Sequence, residues 1–369
     1  MAQQPQMATL AQTLASAPLF TPFTLRGVTY RHRIVVSPMC QYSSEDGFAT
    51  NWHLVHLGSR AVGGAAQVTV EMTAVSPEGR ITPRCLGIWK DEHIPKLSEI
   101  ANFIEAQGAV PAIQIAHAGR KGSCRPPAAG GTFLPEEEGG WRPVAPSPIQ
   151  FRPTDGVPHE LARDEIGRLI EAFTAAARRA VIAGFKLIEI HAAHGYLLNE
   201  FMSPLTNQRS DQYGGSFENR IRLTLETIRA IRSVIPAEMP LSMKISAVDW
   251  ADGGWTIEDS VLLATEAKSA GVDLIVCSSG NVVAHQKVEF KPGFQAPFAE
   301  QVRCNAGVPT GAVGLITQPS QANEIIQSEK ADLVVMAREF LRNPYFPLQA
   351  AKELGVKLPF PGQYTPAYV

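Results

Sequence analysis

Eight short apolar runs, each followed by a stretch of helical periodicity, constrain this chain more than anything else in it. The runs fall at 34–40, 65–73, 109–116, 185–193, 240–247, 272–280, 308–314 and 331–338. They read as near-continuous Val, Ile, Leu and Ala rather than alternating polar and apolar, the pattern of parallel strands buried on both faces. Helical patterns follow at 52–62, 93–107, 163–183, 217–235, 256–270, 295–305, 319–328 and 344–354. Glycines mark several handovers from helix to strand, at Gln107-Gly108, Ala183-Gly184 and Ala270-Gly271, where a left-handed cap residue is wanted. Eight strand–helix units in a row predict an α/β fold of the (β/α)8 TIM-barrel type, in one domain over 18–369. No Gly-x-Gly-x-x-Gly follows a first strand, so a Rossmann domain has no support. The segment 121–158, after the third strand, is dense in Pro and Gly and is expected to be a functional loop or lid at the catalytic end.

Composition narrows the setting. A formal charge of −2 without long charged runs argues against nucleic-acid and membrane-surface partners. No stretch reaches the ~18 uncharged apolar residues of a spanning helix. Residues 1–17 lack the basic start of a secretory signal and are expected to form a loose tail. Five irregularly spaced cysteines with no Cys-x-x-Cys argue for reduced thiols, a cytoplasmic setting and no structural zinc.

In such barrels the ligand meets the carboxyl ends of the strands. Strand four ends in His191, His194 and Tyr196. Two neutral imidazoles offer two N–H donors for one oxygen, and a phenol beside them can deliver a proton. The competing readings are a turn-capping histidine with a core tyrosine, or a metal held with His117 as third ligand. Glycine-bearing turns at the ends of strands seven and eight, with Arg338 beside them, suit a phosphate; Arg338 paired with a surface carboxylate is the alternative. Lys244, at the end of strand five, leaves open a Schiff base to pyridoxal phosphate.

The ordered motifs settle on one family. Ser-Pro-Met-Cys-Gln-Tyr at 37–42, Pro-Glu-Gly-Arg-Ile-Thr at 77–82, Gln-Ile-Ala-His-Ala-Gly-Arg-Lys at 114–121, His-Ala-Ala-His-Gly-Tyr-Leu at 191–197, the run 207–220 and Thr-Gly-Ala-Val-Gly at 310–314 resemble the Old Yellow Enzyme family in its shorter, bacterial-type branch. The resemblance implies FMN at the barrel mouth, reduced by NADPH or NADH in a ping-pong cycle, and a small-molecule enone, enal, maleimide or nitroalkene as hydride acceptor. It implies that His191 and His194 hold the acceptor's oxygen and that Tyr196 protonates the α carbon. Ser37, Pro38, Met39 and Cys40 would run along the flavin, Gln114 would bond its ring edge, Cys40 would tune its potential and Tyr42 would close over the substrate. Met72, Lys244, Gly314, Ala337 and Arg338 complete the cofactor set by match. The family implies a homo-oligomer, dimer or tetramer.

Three positions depart from the family pattern. Lys244 stands where arginine is usual and keeps the charge without the two-pronged donor, which predicts a looser hold on the ring and an altered potential. Ala337 replaces a glycine near the phosphate, and Met72 is larger than usual. The end of the chain lacks the arginine that reaches a neighbouring subunit, and Tyr364 or Tyr368 is expected to take its place. Two further readings remain at this level: a barrel lyase or aldolase acting through Lys244, and a non-catalytic flavin-binding protein.

Overall fold

The structure, a computed structural model, describes residues 17–368. The expected tail, apart from Ala17, lies outside the described residues; Ala17 itself is buried in the core. All eight apolar runs contain strands: β1 (Ile34–Val36), β2 (Gln67–Ala74), β3 (Val110–Ala116), β4 (Leu187–Ala192), β5 (Leu241–Ser246), β6 (Leu274–Ser278), β7 (Thr310–Ala312) and β8 (Leu333–Met336). They pair in parallel in chain order, and β8 closes on β1 through Val334 opposite Ile34. The helices α1 (Asn51–Val62), α2 (Ile94–Ala106), α3 (Arg163–Ile182), α4 (Phe217–Arg232), α5 (Ile257–Ala270), α6 (Ala296–Ala306), α7 (Pro319–Gln327) and α8 (Phe346–Glu353) alternate with them. None is long and apolar enough to cross a membrane.

Outward-facing strand residues such as Val68, Val70, Ile113, Ile188, Ile190, Met243 and Ile275 pack under the helices in one large cluster. The inward set changes character along the axis. At the amino end Val35, Ala112, Leu187, Val276 and Leu333 form an apolar plug, sealed by an antiparallel hairpin of Phe23–Leu25 and Val28–Tyr30. Its three-residue strands are too short to show a period in sequence. Burying Leu25 contributes roughly 1.5–3 kcal/mol to that seal. Above the plug the inward residues become polar: Gln114, Glu189, Ser242 and Lys244, all buried.

Several apolar runs extend past the hydrogen-bonded strand. The runs 34–40 and 331–338 leave the barrel at Val36 and Met336, because their last residues form the mouth and pack across it rather than along the sheet. In β2 the register slips by one residue between Val70 and Met72. This bulge frees Glu71, whose carboxylate accepts the Gln41 N–H at 3.0 Å and lies 3.2 Å from His53 Nε2, tethering the Cys40–Tyr42 turn. The segment 121–158 is ordered by its own bonds. Ser123 Oγ donates to the Leu134 carbonyl and accepts from Trp141 N, and Val144–Ala145 pairs with His159–Glu160.

Candidate active site

The end of β4 makes a sharp corner. His194 has φ 61° and Gly195 φ 70°, and a Cβ on Gly195 would lie 2.2 Å from the Asn281 carbonyl oxygen. Only glycine fits there. The corner folds His194 and Tyr196 back onto His191, with ring centroids 5.1 Å and 4.9 Å from it. Ala193 N donates to His191 Nδ1 at 3.2 Å, which puts the imidazole proton on Nε2. His194 Nε2 lies 2.7 Å from Ser278 Oγ, its backbone N–H donates to Ser246 Oγ, and its carbonyl accepts Lys121 Nζ at 2.8 Å. Burial, reinforced by Lys244 and Lys121, lowers His194 to about 3; burial, His194 and the same lysines hold His191 well below the usual imidazole range. Both are therefore neutral N–H donors at neutral pH. The affinity of holoprotein for an uncharged carbonyl ligand such as cyclohexenone should stay flat between pH 5 and 7, measured by spectral titration. A bend near the ordinary imidazole pKa would show that one of the pair titrates there.

Tyr196 packs with Cys40, Tyr42 and Met72 against Ile81, Cys85, Ala116 and Ala118. Burial, then Cys40 and Tyr42, push the Tyr196 phenol well above its ordinary value, so it keeps its proton. Burial and Glu71 likewise hold Cys40 as a thiol rather than a thiolate. All five cysteines are free. His117 Nδ1 accepts Gly119 N at 3.1 Å and its Nε2 lies 3.9 Å from Glu78 Oε1. Among the described residues no three His, Cys, Asp or Glu side chains are grouped to hold a metal ion.

Beside His194 opens a cleft of about 320 Å³ lined by Ser37, Pro38, Lys244, Gly314, Ala337 and Arg338, six of the residues expected to hold the cofactor. Met39, Cys40, Met72 and Gln114 do not line it. Met39 packs on the main core, and Met72 and Cys40 stand beside Tyr196. Gly314 has φ 106°, and a Cβ there would meet Gln295 Oε1 at 2.6 Å. Ala337 has φ −113° and ψ −86°, so the position does not call for the left-handed backbone that favours glycine. Exposed Arg338 has no hydrogen-bond or ion-pair partner among the described residues, so it does not pair with a surface carboxylate. Lys244 Nζ donates to Ser37 Oγ at 2.8 Å. Gln114 Nε2 donates to Glu189 Oε1 at 2.8 Å, which leaves the Gln114 carbonyl oxygen free to accept. Burial lowers Lys244 and raises Glu189, each opposed by the other's charge.

Sequence reading missed Glu189, Ser278 and Lys121 as parts of this site. Glu189 had a signal: it sits two residues before His191, on the same inward face of β4. Ser278 lies at the carboxyl end of the sixth strand and Lys121 closes the 114–121 motif, so both had a positional signal, but their contacts with His194 come from segments that only the fold brings together.

An unpartnered guanidinium, a positive-φ glycine turn and a buried cation around one cleft suit a phosphorylated planar cofactor, and the residues present fit FMN. The fold and this site define a flavin-dependent barrel oxidoreductase. Comparison with known proteins agrees. The profile of the NADH:flavin oxidoreductase / NADH oxidase family matches residues 18–356. An NADPH dehydrogenase of Geobacillus thermodenitrificans is 48% identical over 348 residues, 94% of this chain and 97% of that protein. Another from a Geobacillus species is 50% identical over the same lengths. Among solved structures, morphinone reductase superposes with a TM-score of 0.78 at 26% identity, covering 95% of this chain and 93% of its own. The chain belongs to the NADH:flavin oxidoreductase / NADH oxidase family, that of the Old Yellow Enzymes, and is an FMN-dependent NADPH oxidoreductase. Membership sets aside the Schiff-base reading of Lys244.

Proposed function

We propose that this enzyme is an ene-reductase, reducing electron-poor carbon–carbon double bonds of enones, enals, maleimides or nitroalkenes. The convergence of His191, His194 and Tyr196 on one small volume carries this reading. When bound, FMN would supply the hydride chemistry, from NADPH or NADH to the β carbon of the alkene in a ping-pong cycle. His191 Nε2–H and the His194 imidazole hold the carbonyl or nitro oxygen and stabilise the negative charge that grows there. Tyr196, kept protonated by burial, delivers its proton to the α carbon. Cys40 and Tyr42 pack against Tyr196 and shape the substrate wall. Ser37, Pro38, Lys244, Gly314, Ala337 and Arg338 would hold FMN from the cleft, with Lys244 offsetting charge on the ring and Gly314, Ala337 and Arg338 taking the phosphate, while Met39, Cys40, Met72 and Gln114 would meet the ring from outside the cleft walls. The test is NADPH consumption against a panel of these alkenes. Coenzyme oxidation that none of them accelerates would remove the reading.

The Lys244–Ser37 bond uses one donor where an arginine would offer a planar fork. Lys244→Arg is therefore expected to tighten FMN by about threefold to tenfold and to shift the flavin potential, read by apoprotein titration and redox dye equilibration. Unchanged affinity and potential would show that the lysine costs nothing.

The same reading places the enzyme in the cytoplasm, supported by five free thiols, as one barrel domain over 18–369 that assembles as a dimer or tetramer. Within the chain, Tyr364 Oη lies 3.0 Å from Tyr345 Oη. Deleting 361–369 should change substrate affinity if Tyr364 or Tyr368 serves a neighbouring site.

A further inference from the structure

Nothing described so far uses the pocket beneath the loop after β3. It encloses about 300 Å³ beside the mouth, and its walls include Tyr42, Lys121, Arg125, Phe151, Arg152 and Asp155. Three of these are cations and one is a carboxylate. The cations are arranged around an aromatic face: Lys121 Nζ, Arg152 and the neighbouring Arg120 lie 4.5, 5.5 and 5.8 Å from the Phe151 ring centroid. Lys121 also lies 5.1 Å from the Tyr196 ring, so the pocket adjoins the proposed proton donor.

The anchoring of each group differs. Lys121 Nζ is committed to the carbonyls of His194 and Asn281, at 2.8 and 3.2 Å. Arg125 is held by the Phe133 carbonyl and by Glu138. Exposed Arg152 donates only Nη1, to the Gly131 carbonyl at 3.1 Å, and its remaining guanidinium nitrogens have no protein partner among the described residues. The carboxylate, Asp155, accepts the Arg152 backbone N–H.

The two molecules that use the mouth in turn differ in charge. An enone or maleimide is uncharged, whereas a nicotinamide dinucleotide carries a diphosphate a few bonds from its reactive ring. A cationic pocket at the edge of the mouth serves the second and not the first. We propose that this pocket, through Arg152 and Arg125, is the subsite for the diphosphate of NADPH or NADH, with Phe151 as a flat face beside it. The assignment rests on the mouth serving both coenzyme and acceptor.

Arg152→Gln and Arg125→Gln, each in FMN-loaded enzyme, test it. Each is expected to raise KM for both NADPH and NADH by about tenfold at low salt, the loss of one charge-assisted hydrogen bond. The rate with N-benzyl-dihydronicotinamide, which carries the same ring without phosphates, should not change, nor should KM for an uncharged alkene. Arg152→Lys should recover part of the loss. Unchanged KM for the dinucleotides overturns the assignment, as does equal loss with the benzyl donor. A rise for NADPH alone assigns the pocket to the 2′-phosphate and overturns the diphosphate. Because Arg152 is exposed, its variant reports even if Arg125→Gln fails to fold. Should no alkene prove to be an acceptor, dioxygen or ferricyanide takes its place and the coenzyme comparison stands on its own.

Discussion

Replacing Tyr196 with Phe is expected to slow alkene reduction by about 10²–10⁴-fold, the range for loss of a positioned general acid. FMN content and the rate of reduction by NADPH should stay at the unaltered level. The split follows from where the hydroxyl sits. Phe keeps the ring that packs against His191 and in the Cys40, Tyr42 and Met72 cluster, so the fold and the cleft are preserved. Only the hydroxyl is lost, and in the proposed cycle only the oxidative half needs its proton. Stopped-flow measurement of the two half-reactions separates them. Equal slowing of both halves would make Tyr196 a structural residue, and no slowing would place the proton donor elsewhere.

His191→Ala carries the second large effect. On the proposed function it removes one of two donors to a developing negative oxygen from a buried site, which is expected to lower turnover by about 10²–10³-fold. The variant also opens a cavity beside Tyr196, so a fall in thermal stability is expected, of the order of a few kcal/mol. His191→Asn, which restores an N–H donor of similar reach, should recover much of the turnover. Failure of Asn to recover more than Ala would mean that the imidazole acts through packing and not through its donor.

The alternation of β-runs and helices was legible because a (β/α)8 barrel buries each strand on both faces, so each strand announces itself as an apolar run. The course of the chain beyond those strands was less legible. Ser37-Pro38 ends the apolar run that begins at Ile34, since the proline cannot donate to the ladder, but nothing in the pattern says that residues 37–40 go on to form the mouth. His191, His194 and Tyr196 stood out because six residues at one strand end carry all three. Their convergence, however, depends on the left-handed corner at His194 and Gly195 and on Lys121 and Asn281, which approach from other loops. Glu189 lay hidden inside an apolar run. Its place under Gln114 and near Lys244 follows from the inward alternation of β4 together with its two neighbouring strands. At Ala337 the backbone does not take the left-handed conformation that would require glycine, its φ being −113°. Met72 packs in the cluster that carries Tyr196 and is not among the residues lining the cleft.

In the proposed function one mouth passes reducing equivalents from a nicotinamide coenzyme to an activated alkene by way of FMN. Anaerobic titration of the purified holoprotein with NADPH, followed by an enone or maleimide, tests it directly. The visible flavin band should bleach with one equivalent of NADPH and return in full on addition of the alkene, with one equivalent of saturated product. A protein that carries no flavin band, or whose bleached band the alkenes leave unchanged, would contradict it.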